Sequence, residues 1–235
     1  MRASFLFLFA VILSAPAASR VGALQTDCRL GGSLGKVGYQ FVATCDGRAS
    51  SPNKRYSIVQ RVYQDKQPPI ELQNERGQTV GKIPQLSDDM PFAIIWAPNS
   101  RWFVASHHVG SFMDRPEAYE IRNGHVISHD QFRRTGQRLA QRLFPCLPQS
   151  GADWANGAVL GWSRDSRRIA WVFITRADMC SPDYGGRSVP EFKNWRPVWM
   201  ISEIPSGRII SGSVHIDRSE GTLKAPSDHR YDEFR

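Results

Sequence analysis

One short pattern recurs along this chain, and the recurrence limits the folds that the chain can adopt. Residues 96–105 (WAPNSRWFVA) align with residues 162–171 (WSRDSRRIAW), and a fainter copy covers residues 50–58 (SSPNKRYSI). In each copy a turn rich in Pro, Asn, Asp and Ser precedes an apolar strand, and such residues reverse a chain between two strands. A chain that repeats one supersecondary unit is expected to stack its units around a continuous core.

A second hairpin follows each copy of the pattern. Short apolar segments flank Gly77, Asn123-Gly124 and residues 205–207, and Asn-Gly is the strongest short hairpin signal. Each unit is therefore predicted to contain two hairpins, that is, four short antiparallel strands. Residues 39–43 form an apolar segment upstream of the first unit, and we expect this segment to supply a strand toward a fourth unit.

The turn sequences also carry a family resemblance. Residues 162–171 keep the Trp, Ser and Asp of a Trp-Ser-Pro-Asp-Gly turn, with Arg164 and Ser166 in place of Pro and Gly. Residues 96–105 keep the Trp and the Pro, and the first copy lacks the Trp. This pattern resembles the repeat of the β-propellers typified by the periplasmic Tol-system propeller. The resemblance implies four-stranded blades with the Trp packed between them, but no particular activity, because propellers host many functions.

We therefore predict a mainly-β domain over residues 24–216, built of antiparallel four-stranded, blade-like repeats. The domain is expected to be a small or incomplete propeller, since a closed one needs at least four blades and three units are countable. An open array of sheets and a sandwich-like packing remain alternatives. Residues 217–235 are polar and are predicted to form a flexible tail.

Two insertions interrupt the repeat, near residues 131–157 and 176–195. The first lengthens the spacing between the two Trp-containing turns to 66 residues, against 46 residues between the first two copies. Within it, residues 130–144 place apolar side chains at helical spacing with arginines between them. This periodicity predicts one inserted amphipathic helix.

The N-terminus has the three parts of a secretory signal peptide. Arg2 precedes the apolar run from Phe5 to Leu13, and small residues with A-x-A spacing follow. We expect residues 1–23 to contain the signal, with cleavage after Ala17, Ala18 or Ala23, and the mature chain to be periplasmic or secreted. The apolar run is about half of the ~20 residues that span a bilayer, so no permanent membrane anchor is expected.

The four cysteines are Cys28, Cys45, Cys146 and Cys180. An even number of cysteines in an exported chain favours two disulfides, with three possible connectivities. We prefer Cys28–Cys45 and Cys146–Cys180, because these pairs close the shortest loops, and four free thiols are the alternative. Each insertion carries one cysteine, so the second pair would join the two insertions.

The charge balance favours an anionic partner. The chain has 30 Lys and Arg against 22 Asp and Glu, a formal net charge of +8, and 24 of the basic residues are Arg. A guanidinium group grips carboxylate or phosphate through two parallel hydrogen bonds. We expect the partner to be a protein or an anionic component of the cell envelope. Nucleic acid is not expected, since the chain is predicted to be exported and lacks a nucleic-acid-binding motif.

The sequence contains few residue patterns typical of a catalytic or metal site. His107 and His108 are adjacent on a predicted strand, so they face opposite sides and do not suit one metal; no metal or cofactor is expected. Ser163 lies in a repeat turn rather than in a nucleophile elbow. Arginines and aromatic rings are instead concentrated in the insertions, the composition of binding hot spots. The predicted binding residues are Arg133, Arg138, Arg142, Trp154, Tyr184, Arg187, Trp195 and Arg196.

These features lead to one principal hypothesis and two alternatives. The principal hypothesis is an exported, non-catalytic binding protein of the cell envelope that uses a propeller-like scaffold. One alternative is a periplasmic inhibitor or immunity protein that neutralises a toxin or a hydrolase. The other is a propeller-borne hydrolase or lyase, which predicts that His107, His108 or His125 meets an acidic residue in one concave pocket.

Overall fold

The computed structural model describes eight segments of the chain: residues 40–42, 47–60, 70–83, 92–110, 113–144, 155–176, 195–217 and 225–234. Neither helix in these segments has the length and apolar character that a bilayer span requires. The four cysteines and the predicted signal peptide lie outside the described residues, so the disulfides and the signal remain predictions.

Three antiparallel sheets form the described part of the domain, and each contains four strands that belong to one sequence unit. In the third unit the last strand is His215–Ile216, whereas the segment predicted directly after residues 205–207 makes only an isolated bridge between Ile209 and Ser202. The fold is mainly β and propeller-like, and the sheets do not close into a ring, which confirms the predicted fold class. Blade 1 contains β2 (Gly47–Ser50), β3 (Tyr56–Gln60), β4 (Glu71–Asn74) and β5 (Thr79–Lys82). Blade 2 contains β6 (Phe92–Trp96), β7 (Trp102–Gly110), β8 (Met113–Arg122) and β9 (His125–His129). Blade 3 contains β10 (Ala155–Trp162), β11 (Arg168–Arg176), β12 (Trp195–Glu203) and β13 (His215–Ile216).

The upstream strand joins a different sheet from the one that we expected. β1 (Gln40–Val42) pairs antiparallel with β6, so it becomes a fifth strand on blade 2. The first strand of a blade has a free edge, and an extended segment that supplies backbone donors and acceptors satisfies that edge. The segment therefore extends an existing sheet and does not begin a fourth blade.

Alternating side chains give each blade two faces, and the facing apolar sides form the core. Blades 1 and 2 meet through a cluster that includes Ile58, Leu72, Phe103 and Tyr119, all fully buried. Blades 2 and 3 meet through a second cluster, which also contains residues of the inserted helix. The blades therefore stack face to face along the order of the sequence.

Equivalent hydrogen bonds join one blade to the next. The indole Nε1 of Trp96 donates to the carbonyl of Ala49 in blade 1 (3.2 Å), and that of Trp162 donates to Ile95 in blade 2 (3.1 Å). Both acceptors lie two residues before the turn of their own blade. The two tryptophans therefore have like surroundings, as the repeat predicted.

The turns are joined in the same repeating way. Ser100 and Ser166 both adopt a left-handed backbone, with φ of 59° and 60°. The hydroxyl of Ser100 accepts a hydrogen bond from the Asn53 backbone N–H of the preceding blade, and Ser166 accepts one from Asn99, both at 3.0 Å. Each joint thus combines one indole donor with one hydroxyl acceptor.

The predicted amphipathic helix forms as α1 (Gln131–Leu143) and fills the wedge between blades 2 and 3. Its buried residues are Phe132, Gly136 and Ala140, spaced four residues apart. Gly136 lies directly against Trp171: a Cβ at this position would lie 2.5 Å from Cζ2 of the indole ring and closer still to Cη2. Only a residue without a side chain lets the helix approach blade 3 this closely.

The two end faces of the array differ in chemistry. The outward face of blade 1 is polar: Arg48 donates to Gln73 (3.1 Å), Gln73 donates to Glu71 (3.2 Å), and Ser50 bonds Ser57 (3.1 Å). Gln73 and Ser57 are themselves buried, so these hydrogen bonds satisfy polar groups that are shielded from solvent. Ser50 and Lys54 also replace the Trp and the Ser that join the later blades.

The outward face of blade 3 is apolar, and the C-terminal segment covers it. Residues His229–Phe234 form a 3₁₀ helix that buries Tyr231 and Phe234 against Trp199 and neighbouring apolar residues. The Tyr231 hydroxyl donates to the carbonyl of Ser213 at 2.5 Å. The flexible tail expected for residues 217–235 is therefore corrected for residues 225–234, because two aromatic rings anchor this segment to the sheet.

Candidate functional site

The predicted binding residues fall into three groups. Arg133, Arg138 and Arg142 lie on α1, and Trp195 and Arg196 begin β12. The side chains of the last two lie outside the described part of the structure. Trp154, Tyr184 and Arg187 lie outside the described residues altogether, so their place in a site remains a prediction.

The last turn of α1 approaches the end of blade 3 at which β11 ends and β12 begins. A Cβ on Gly207 would lie 2.6 Å from the backbone of Gln131, so α1 begins beside the turn that follows β12. Half-way along, Gly136 faces Met200. The helix therefore runs antiparallel to β12, and Arg142 in its last turn approaches the start of that strand, where residues 177–194 enter.

Two of the three helix arginines that were predicted to bind a partner face solvent. Arg138 and Arg142 are exposed, and within the described residues neither guanidinium lies within 4.0 Å of a carboxylate. Arg138 donates to the Thr135 hydroxyl one turn earlier (3.2 Å), which orients its side chain along the helix. The buried stripe on the opposite side of α1 fixes these two charges relative to the blades.

Arg133 does not join this exposed face. Its side chain is 14% exposed, and its Nη2 lies 3.6 Å from Glu117 Oε1 and 3.7 Å from Asp130 Oδ2. It was expected to bind a partner, but it is instead an internal partner that links α1 to blade 2. Burial lowers the pKa of the Arg133 guanidinium, and the nearby Glu117 carboxylate acts in the opposite direction.

Glu117 is a buried carboxylate that the sequence did not reveal. The residue is 3% exposed, and its Oε2 accepts hydrogen bonds from the Tyr119 hydroxyl (3.1 Å) and from Ser128 (3.5 Å). Burial raises the pKa of Glu117 above its ordinary value, although Arg133 and Tyr119 act in the opposite direction. Burial also raises the pKa of the Tyr119 hydroxyl, and the Glu117 charge adds to that shift.

Glu120 lies on the other face of β8 and holds two arginines. Its side chain is 1% exposed; Oε1 pairs with Arg101, and Oε2 lies 2.6 Å from Arg122 and 3.4 Å from His129 Nε2. Burial opposes ionisation, but hydrogen bonds from Arg122 and Arg101 outweigh it and hold the pKa of Glu120 below its ordinary value. One buried negative charge thus positions two exposed guanidinium groups.

Comparison of equivalent positions in blades 2 and 3 marks the position of Glu120 in the sequence. Trp102 pairs with Glu120 in blade 2, and the equivalent residue of blade 3, Arg168, pairs with Glu203. Glu203 also binds an arginine, Arg208, across its turn. Aligning the third strands of the units, and not only the turns, would have identified both positions.

The enzyme alternative requires one of His107, His108 and His125 to meet an acidic residue, and the backbone places His107 and His125 far apart on blade 2. β8 pairs His107 with Arg115 and His125 with Arg122, seven residues apart along one strand. At about 3.3 Å per residue this separation is roughly 23 Å. Ser163 is fully buried. Its hydroxyl donates a hydrogen bond to Asp165 (2.5 Å) and accepts one from the Arg168 backbone N–H (2.9 Å). Its hydroxyl holds the turn together.

A shallow cleft of about 520 Å³ lies beside the C-terminal 3₁₀ helix, lined by His215, Asp228, His229 and Arg230 among others. Asp228 is engaged as a cap: its Oδ1 accepts the backbone N–H of Arg230 at 2.9 Å. That hydrogen bond lowers the pKa of Asp228, and the nearby cations add to the effect. Among the residues that the structure describes, no three His, Cys, Asp or Glu side chains are grouped as metal ligands.

Comparison with known proteins gives one distant likeness. No protein-family profile matches the chain, and no curated protein sequence matches it either. Among solved structures, hydrazine synthase from Kuenenia stuttgartiensis is similar at a TM-score of 0.38 and 14% sequence identity. The match covers 73% of this chain and 41% of the other chain, so this chain spans less than half of its length. A likeness of this size supports no statement about function.

Proposed function

We propose that this chain is an exported, non-catalytic binding protein of the cell envelope that presents an arginine-rich surface to an acidic partner. The observation that carries the proposal is the placement of α1, whose exposed Arg138 and Arg142 lead toward the start of β12. The second insertion, with Tyr184 and Arg187, leaves the sheet at that point. In this proposal both departures from the repeat contribute to one surface, which we call the insertion surface.

The scaffold orders the arginines of α1 before a partner binds. Binding loses free energy when flexible side chains are immobilised, and a rigid base reduces that cost. Phe132, Gly136 and Ala140 fix α1 between two sheets, so its arginines project from a base that is already ordered. Arginine pairs with carboxylate or phosphate through a planar fork, and adjacent aromatic rings exclude water from such pairs.

The proposal also includes kinship with the Tol-type propellers, export of the chain and a disulfide between the insertions. The equivalent Trp96 and Trp162 joints support kinship with the Tol-type propellers, whose repeat they resemble. The signal-like N-terminus supports export to the periplasm or beyond, and a Cys146–Cys180 disulfide would hold the two insertions together.

The test is quantitative capture of a partner by the purified protein. Immobilised protein is incubated with envelope extract, bound proteins are identified, and the affinity of the best candidate is measured directly. The variant Arg138→Ala/Arg142→Ala should weaken that affinity about tenfold, since exposed ion pairs contribute roughly 0.2–1 kcal/mol each and hydrogen bonds to charges contribute more. A matched control, Arg55→Ala/Arg76→Ala, removes two exposed charges elsewhere and should leave the affinity unchanged. Equal affinity of the helix variant and the native protein would reject the insertion surface.

A further inference from the structure

The topology places the first and the last turn of each blade, six turns in all, at one end of the array. In an antiparallel four-stranded sheet the turn between the first two strands and the turn between the last two lie at the same end. We call this end the turn face; it contains residues 51–56, 74–78, 97–102, 120–125, 163–168 and 203–208. It is separate from the insertion surface, which lies near the other end of β12.

The turn face is strongly basic. It contains nine Lys and Arg residues against four Asp and Glu residues, an excess of five within a chain whose net charge is +8. Two of the four acidic groups are already engaged with arginines: Glu120 holds Arg101 and Arg122, and Glu203 holds Arg208. Asp165 accepts hydrogen bonds within its own turn. The positive charge of this face is therefore only partly neutralised internally.

Five exposed cations on the turn face have no ion-pair partner within 4.0 Å among the described residues. The first turn of each blade contributes through the same position, since the backbone N–H of each arginine there binds the preceding Asn or Asp side chain (2.9–3.1 Å). The arginines at this position are Arg55, Arg101 and Arg167. The five cations without a partner are Lys54, Arg55, Arg76, Arg164 and Arg167.

The repeat holds these arginines in a row. The Ser100 and Ser166 hydroxyls bind the backbone of the neighbouring turns at 3.0 Å, so adjacent turns are fixed to each other. Packed sheets lie about 10 Å apart, so the three equivalent arginines are spaced at about 10 Å over roughly 20 Å. A row of this kind suits a ligand that repeats its own charge along a line.

From this arrangement we propose that the turn face binds a linear polyanion whose repeating groups are phosphate or sulfate. Guanidinium forks match the oxygens of both groups. Blades 1 and 3 offer the unpaired guanidinium groups of Arg55 and Arg167, and between them Arg101 is exposed but already pairs with Glu120. A membrane surface suits this face less well. In the described residues the exposed large apolar side chains are Leu143 and Val214, and neither lies on the turn face to enter a bilayer.

The test measures binding of the purified protein to long-chain polyphosphate and to heparin, which separate the phosphate and sulfate sources. The turn variant is Arg55→Ser/Arg164→Ser/Arg167→Ser, whose native side chains are exposed. A matched control, Lys82→Ser/Arg138→Ser/Arg142→Ser, removes the same number of charges away from the turn face. We expect the dissociation constant to rise about tenfold for the turn variant and to change little for the control. Three lost contacts should also flatten the slope of log affinity against log salt by roughly 2.

Several results would overturn the proposal. One is equal loss of binding in the turn variant and the control, which would show a response to net charge alone. A second such result is native-like affinity of the turn variant for the polyanion, when both variants have the melting temperature of the native protein. Binding only to anionic phospholipid vesicles or to polyglutamate would assign the face to a membrane or to an acidic protein. The same two variants separate this proposal from the proposed function, because partner capture by the insertion surface should fail only in the control.

Discussion

Replacing Gly136 by Ala should destabilise the protein, although Ala is the better helix former. The new Cβ would lie 2.5 Å from Trp171 Cζ2, whereas non-bonded carbons pack at about 3.5–4.0 Å. The indole cannot turn aside: it is fully buried, meets Phe132 and Phe173 edge-on (5.1 and 6.1 Å), and donates to Ser202 Oγ at 2.9 Å. Either the ring or the helix must therefore move by about 1 Å.

The magnitude follows from two opposing effects. Overpacking a core costs typically 1–3 kcal/mol, and the change from Gly to Ala within a helix returns about 1 kcal/mol. Because Trp171 is held on several sides, we take the upper part of the first range and expect a net loss of about 2 kcal/mol. For a chain of this size that loss lowers the melting temperature by roughly 4–8 °C.

Thermal unfolding of four variants tests this close contact: Gly136→Ala, Gln137→Ala, Trp171→Phe and the double variant Gly136→Ala/Trp171→Phe. Gln137→Ala, on the less buried side of α1, should change the stability by no more than about 0.5 kcal/mol. Adding Trp171→Phe to Gly136→Ala removes the colliding ring atoms, so the double variant should be less destabilised than the sum of the single ones. A Gly136→Ala protein that melts at or above the native temperature would refute the close approach of α1 to blade 3.

Three further predictions follow from the contacts described above. Trp162→Phe should lower the free energy of unfolding by about 1–3 kcal/mol more than Trp199→Phe does. Trp162 loses an inter-blade hydrogen bond, whereas the buried Trp199 Nε1 has no hydrogen-bond partner in the described residues. Urea unfolding of the two variants measures the difference. Glu117 and Glu120 should give opposite pH dependence. The raised pKa of Glu117 adds stability below about pH 4.5, and this stability is lost as the pH rises through the pKa of the folded state. The lowered pKa of Glu120 adds stability above about pH 4.5, and this stability is lost as the pH falls through the pKa of the folded state. Urea unfolding of each Glu→Gln variant and of the native protein at several pH values measures both slopes. Tyr231→Ala should cost about 3–5 kcal/mol, the usual loss for a buried aromatic ring, and calorimetry detects it.

Each of these predictions has a clear contrary result. Equal losses for the two tryptophan variants would mean that the indole hydrogen bond adds nothing to the blade joint. Parallel slopes for the two Gln variants would contradict the opposite environments of the carboxylates. An unchanged melting temperature for the tyrosine variant would show that the C-terminal segment does not cover blade 3 in solution.

Local patterns made much of this fold predictable. Turn residues fix their own backbone, so the three copies of the turn marked where strands reverse, and the apolar spacing of residues 130–144 marked α1. The structure repeats the joints as well: Asn99 meets Ser166 as Asn53 meets Ser100, and Trp162 meets Ile95 as Trp96 meets Ala49. The blade architecture was therefore accessible from the sequence.

Features that depend on contacts between distant segments were not accessible. Arg133 lies at the edge of the buried stripe on α1, and only the position of Glu117 in blade 2 draws it inward. The strand Gln40–Val42 suited any free sheet edge, and the sequence did not distinguish the edge of blade 2 from a new blade. Tyr231 and Phe234 lie in a polar segment, so their burial depends on the apolar face that blade 3 leaves uncovered.

The unlike ends of the array also decide how the molecule comes apart. Blade 2 is joined to a blade on each side, and blade 3 is covered by blade 2, α1 and the C-terminal 3₁₀ helix. In the described residues blade 1 packs against blade 2 alone, through their shared apolar cluster, one indole and one hydroxyl. In an array whose units contact only their neighbours, opening begins at the unit with the fewest joints. Residues 47–60 and 70–83 should therefore exchange their amide hydrogens first, by a local opening that leaves the insertion surface in place and takes away the blade 1 part of the turn face.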